Sequence, residues 1–304
     1  MSLDADLLAD RRRLRRRLTL WRALAILAVF GALGALATFR STSGIVGGDH
    51  VLRLPVSGFI AEDRRMLEAL ERAATDNAVR ALIVAIDSPG GTMAGGEALH
   101  AALRRVAERK PVIALMGATA ASAGYMAALP AHRVFARDAT VTGSIGVLLQ
   151  SFEVSDLLAR AGIRPQVIAS GPFKDQPSPF RPLTPEGRAA LERVMQDLHA
   201  QFVAMVAAGR RMDPARAAAL ADGRVFTGRQ ALEAGLVDAI GGEREARAWL
   251  AAEREVPETL PIRDVQTRGT AERLISQVTE GVMKSLFSEW LGVDAPRALW
   301  QPAP

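Results

Sequence analysis

Residues 79–86 read VRALIVAI, an apolar run broken by a single arginine. A run this short and this apolar suits a strand buried on both faces, which requires a sheet with cover above and below it. It ends in Asp87-Ser88-Pro89-Gly90-Gly91. Around it, helical and extended patterns alternate. Residues 62–74, 96–109, 154–161, 184–209, 213–220, 228–234 and 243–253 have helical character; Thr184 is a suitable N-cap and Pro185 a suitable first helical residue. Residues 51–54, 112–115, 134–136, 141–142 and 166–168 read as strands, with a turn at 55–58. The alternation predicts an α/β fold with short crossovers.

The strand at 112–115 runs into MGATAASAGYMAA, residues 116–128, where a helix-compatible stretch begins near Ser122. A hydroxyl among residues this small is open to both a substrate and a base. Unpaired N–H groups at a helix start favour developing negative charge. Ser122 is equally placed to be a plain N-cap, and these residues alone leave both readings open.

The chain's ends differ from its middle. Arg11, Arg12, Arg13, Arg15, Arg16, Arg17 and Arg22 precede residues 23–39, ALAILAVFGALGALATF, which carry no charge. As a helix that run spans about 25 Å, and residues 18–21 extend it toward the roughly 30 Å of a bilayer core if Arg22 snorkels. Ala35-Leu36-Ala37 has the small-x-small form of a cleavage site, but the apolar run exceeds a usual signal-peptide core, so an uncleaved anchor is expected. The arginines keep residues 1–22 cytoplasmic and send the rest across the membrane. A Ser/Gly-rich linker follows at 40–50. The folded domain is expected over 51–255, and an extension over 256–304. In the extension Leu274, Val278, Val282, Leu286 and Trp290 recur every four residues, the pattern of an amphipathic helix.

Composition excludes several classes. The net charge of +5 is concentrated in the first two dozen residues, which removes the main support for nucleic-acid binding. With no cysteine there is no thiol nucleophile, disulfide or thiolate metal site. His50, His100, His132 and His199 lie outside Gly-rich loops, and no metal, P-loop or dinucleotide motif is present, so no cofactor is expected. Lysine is scarce: of 38 basic residues only Lys110, Lys174 and Lys284 are lysines. A lysine, unlike an arginine, can lose its proton near neutrality. Burial would have to lower its pKa from about 10.4, a shift of about 4 kcal/mol. Asp175, next to Lys174, would oppose this if the two paired. Gly90 and Gly91 can offer backbone N–H groups to an oxyanion.

In this order, VSGFI at 56–60, DSPGG at 87–91, MGATAASAGY around Ser122, TGSIGV at 142–147, SGPFKDQPSPFRPLT around Lys174 and GRVFTGRQALEAGLVD at 223–238 resemble the single-domain form of the bacterial signal peptide peptidase A family. The resemblance covers about residues 51–242. It implies a ClpP/crotonase-like α/β fold preceded by an N-terminal transmembrane helix, in the bacterial inner membrane with the catalytic domain outside the cytoplasm. It further implies an endopeptidase degrading cleaved signal peptides and other membrane-associated or unfolded peptides. Ser122 matches the nucleophile, Lys174 the general base, Ser144 the hydroxyl that orients the lysine, and Gly90 and Gly91 the oxyanion-hole segment. Relatives assemble as homo-oligomeric rings with sites completed across subunits. Ala123 stands where relatives often have Gly, and Ala131-His132 where Ala-Asp is usual. A crotonase-type acyl-CoA enzyme and a non-catalytic membrane scaffold are the alternatives; the export anchor argues against the first.

Overall fold

Strand β2 (Val79–Gly91) shows why the apolar run is needed, because its alternate residues enter two separate cores. Leu82, Val84 and Ile86 face one, while Ala81 and Ile83 face the other. This computed structural model describes Trp21 and residues 48–265. The expected anchor at 23–39, most of the linker and the apolar repeat beyond 265 lie outside the described residues. Among those described, no helix is long and apolar enough to cross a membrane.

The fold is mixed α/β. Eight strands form one sheet: β1 (His50–Ile60), β2, β3 (Val112–Ala121), β4 (Arg133–Ala136), β5 (Val141–Gly143), β6 (Val225–Thr227), β7 (Ala239–Ile240) and β8 (Ile262–Asp264). Their main order is β6-β5-β3-β2-β1-β8, with β4 also on β3 and β7 on β4. Every pairing is parallel except β5 with β6. On one face lie α1 (Arg64–Thr75), α2 (Met93–Ala107), α3 (Ala123–Ala128) and α5 (Pro185–Arg210), which supply Leu70, Leu103, Met126 and Phe202 to the larger core. The other face is covered by α8 (Glu243–Arg254), through Ala246 and Leu250 against Val51, Ile113 and Phe135. Three short helices complete the chain: α4 (Ser155–Arg160), α6 (Pro214–Ala219) and α7 (Gly228–Ala234). Thr184 caps α5 as expected, accepting the Gly187 N–H at 3.0 Å.

Several expectations need correction. The turn read at 55–58 is strand: β1 runs on to Ile60, paired with Gly91. Pro55 is tolerated because Val51 and Arg53 bond toward β8, so alternation turns Pro55 to that same edge. The last bond there is from the Val265 N–H to the Arg53 carbonyl, and Pro55 has no ladder bond to lose. His50, read as linker, is buried in β1. Residues 166–168, read as a strand, have no strand partner, and Ile168 is fully exposed. The sheet also reaches past residue 255, since β8 pairs with residues 51–53.

Candidate active site

Strand β3 changes neighbours along its length. Residues 113–115 pair with β4, and residues 119–121 with β5. At the handover the Thr140 hydroxyl donates to the Gly117 carbonyl, and further on the Thr142 hydroxyl donates to that of Ala120, each at 2.7 Å. A parallel sheet opens a crevice beyond its carboxyl ends where neighbouring connections diverge. Ser122 is the first residue past β3, at that rim.

Its backbone is unusual, with φ 53° and ψ −121°. Such a conformation costs a non-glycine residue about 1–3 kcal/mol. It is held by the Ser122 N–H donating to the Gly143 carbonyl at 2.9 Å and by the Met126 N–H donating to the Ser122 carbonyl at 3.0 Å. Ser122 occupies the N-cap position of α3, but its hydroxyl makes no capping bond. The plain-cap reading therefore does not hold: the strained backbone leaves the half-buried Oγ unused by the helix.

Gly90 lies directly against it. A Cβ on Gly90 would fall 2.9 Å from the Ser122 Cβ and 3.2 Å from its Oγ, and the glycine's φ is +126°. Gly91 is tied to the other neighbour, for its Cβ would fall 1.9 Å from the Ile60 carbonyl oxygen. Ser144 follows β5 directly, as Ser122 follows β3, and Ala121 is in register with Gly143. The two hydroxyls thus leave adjacent strands at one rim. Ser144 has φ 49°, and its N–H donates to the Arg224 carbonyl at 2.8 Å. Asp222 grips the Arg224 guanidinium, and this bonding holds the Asp222 carboxyl down at about 2.

Lys174 is not joined to this group within the chain. It is exposed, and among the described residues its ammonium makes no hydrogen bond or ion pair. Asp175 turns away from it to Arg181, 3.0 Å distant, so adjacency does not produce pairing. The stretch carrying Lys174 is itself uncovered: Leu148, Phe152, Leu157, Ile168, Phe173 and Phe180 are all exposed, and α4 buries nothing. Lysine scarcity alone did not single out Lys174. The Lys110 ammonium bonds the Asp76 and Val79 carbonyls, the latter at 2.7 Å, and burial lowers its pKa. Lys284 lies outside the described residues.

None of the histidines stands at this rim as a base. Nδ1 of His132 accepts the Val112 N–H at 3.1 Å, and a ring nitrogen of His199 is 2.7 Å from the Ala221 carbonyl. Burial lowers the pKa of His100 and His132. Among the described residues no three His, Asp or Glu side chains group as a metal site. One residue that the sequence reading passed over is Ser88, fully buried between Gly58 and Gly90. A hydroxyl ending an otherwise apolar strand was the available signal.

The family model described as peptidase family S49 matches residues 104–257. A provisionally named protease of Synechocystis sp. is 41% identical over 203 residues, covering 66% of this chain and 73% of that one. The chloroplastic serine protease SPPA of Arabidopsis thaliana is 32% identical over 76% of this chain, which spans only 34% of that protein. A provisionally named signal peptide peptidase SppA of Enterococcus faecium is 30% identical, covering 70% of this chain and 66% of the relative.

Proposed function

The chain belongs to peptidase family S49, a serine protease of the signal peptide peptidase A type, and on that premise we propose a membrane-anchored endopeptidase with a Ser122–Lys174 dyad. Its substrates are cleaved signal peptides and other unfolded or membrane-associated peptides. The observation that carries this reading is the Ser122 geometry: a strained, uncapped hydroxyl at a strand end, pressed against a glycine.

In the proposed reaction Ser122 Oγ attacks the scissile carbonyl carbon, and its proton passes to the neutral Lys174 amine. Negative charge on the carbonyl oxygen is received by the Gly90–Gly91 backbone segment, with the Gly91 N–H as the donor, since the Gly90 N–H is taken by the Ser88 hydroxyl at 3.1 Å. Collapse breaks the C–N bond, Lys174 returns the proton to the leaving amine, and water then hydrolyses the acyl-enzyme. Ser144 accepts a hydrogen bond from the lysine and orients it.

A lysine acts as general base in a desolvated environment, which the described residues do not supply around the exposed Lys174 side chain. We propose that a second copy supplies it. The exposed apolar side chains of residues 148–180 are then the surface that a homo-oligomeric ring covers, bringing Lys174 to a neighbour's Ser122. Residues 23–39 anchor the assembly, with the catalytic domain outside the cytoplasm. The test is peptide cleavage by Ser122→Ala, Lys174→Ala and their mixture. Each alone is expected to be inactive and the mixture partly active. Wild-type cleavage by either single variant rejects the dyad.

A further inference from the structure

Strand β2 changes register against both of its neighbours just before Gly90. Its register slips between Ile86 and Ser88 against β3, and against β1 where that strand steps from Ser57 to Phe59. Where such a slip interrupts the ladder, backbone groups need other partners. Ser88 supplies them. Its hydroxyl donates to the Gly58 carbonyl at 2.6 Å and accepts the Gly90 N–H at 3.1 Å; the Gly90 carbonyl, at 3.3 Å, is the weaker alternative acceptor. Ser88 is wholly inaccessible to solvent. Its Cβ side is closed as well, since a Cβ on Gly124 would lie 3.0 Å from the Ser88 carbonyl oxygen and 3.4 Å from its Cβ.

We infer that Ser88 is a positioning residue for the hydrolytic reaction: its hydroxyl bridges β1 to Gly90 and thereby sets the Gly90 backbone against Ser122. The inference rests on the reading of Ser122 as nucleophile and of Gly90 and Gly91 as the oxyanion segment, and goes beyond it by naming what aims that segment. Gly90 has no side chain to hold it, and a glycine reaches its φ of +126° and many other conformations with similar ease, so an outside contact selects among them. With Ser88 absent, the buried Gly90 N–H loses its 3.1 Å partner and the part-buried Gly58 carbonyl its 2.6 Å one, and the segment relaxes away from the serine. Loss of an oxyanion donor outright lowers turnover by about a hundred- to a thousandfold; a misaimed one is expected to cost roughly ten- to a hundredfold.

The experiment uses the full-length protein and its Ser88→Ala, Ser88→Cys and Ser122→Ala variants. Peptide cleavage gives kcat and KM, and a fluorophosphonate probe gives both the fraction of sites labelled at saturation and the labelling rate. For Ser88→Ala the expected result is wild-type labelling at saturation, a labelling rate and kcat lower by at least about tenfold, and little change in KM. Ser88→Cys, which keeps a weak donor and acceptor, falls between. A wild-type labelling rate in Ser88→Ala overturns the inference, as does a reduced labelled fraction with an unchanged rate per labelled site, which marks a structural role only. Activity in Ser122→Ala would instead reject the nucleophile reading, so the two failures are distinguishable.

Discussion

Gly90 and Ser122 are packed so closely that a methyl group on the glycine would sit 2.9 Å from the serine Cβ. The two neighbouring glycines of the DSPGG run should therefore fail in different ways when changed to alanine. Gly90→Ala strains a φ of +126° and crowds Oγ, so peptide cleavage is expected to fall by at least about a hundredfold, with probe labelling falling in parallel. Gly91→Ala drives a Cβ to 1.9 Å from the Ile60 carbonyl oxygen and separates β1 from β2. Its cost is one of folding, about 3 kcal/mol or more, or a fall in Tm of roughly 10 °C for a domain of this size. Circular dichroism melts of both variants, with activity assays alongside, separate the two effects.

Lys174 gives the reverse combination. Because its side chain is exposed and unpaired among the described residues, Lys174→Arg should leave the melting temperature within about 2 °C of wild type. Cleavage should be lost, since a guanidinium does not act as a base near neutrality. A Tm measurement and a peptide assay on one preparation check both halves.

The histidines predict the acid limit of stability. His132 holds the Val112 N–H through an unprotonated Nδ1, and burial lowers its pKa, as it does for His100. Above about pH 6.5 both are neutral whether folded or unfolded. As pH falls below that value the unfolded chain takes up protons that the folded chain resists, so stability declines until the depressed folded pKa is passed. Denaturant unfolding at pH 7.5 and pH 5 should show the loss, and His132→Asn should show a smaller one.

A buried clamp holds α5 to the sheet. The Arg210 guanidinium makes two bonds to Asp238, at 2.5 and 3.2 Å, and a third to the Gly235 carbonyl at 3.0 Å. Asp238 also accepts the Val134 N–H at 2.7 Å. Nearby, the Tyr125 hydroxyl donates to the Leu236 carbonyl, and burial raises its pKa. Asp238→Ala leaves a buried cation and an unpaired N–H, and is expected to destabilise by about 3–5 kcal/mol, measurable by denaturant unfolding.

Much of this architecture is legible from residue pattern. The apolar run at 79–86 demanded two covered faces and has them, and Thr184-Pro185 marked the start of α5 to within a residue. Pro55 misled because proline usually ends a strand; only the length of β8 explains why it is harmless here. Strands β7 and β8 have two and three residues, too few for any periodicity to register. At the candidate site, Gly90 and Ser122 were visible as motif residues. Their mutual approach was not, because it depends on the β2–β3 register, which slips between Ile86 and Ser88 to set Ser88 opposite Ala120. Ser88 was hidden by its own motif, in which the glycines draw attention first.

The central claim concerns one oxygen atom, Ser122 Oγ. Full-length protein treated with a fluorophosphonate, digested and analysed by mass spectrometry reports where the adduct sits. The expected result is a single phosphonyl group on Ser122, absent from Ser122→Ala. An adduct on any other residue, or none in a preparation that cleaves peptide, contradicts it.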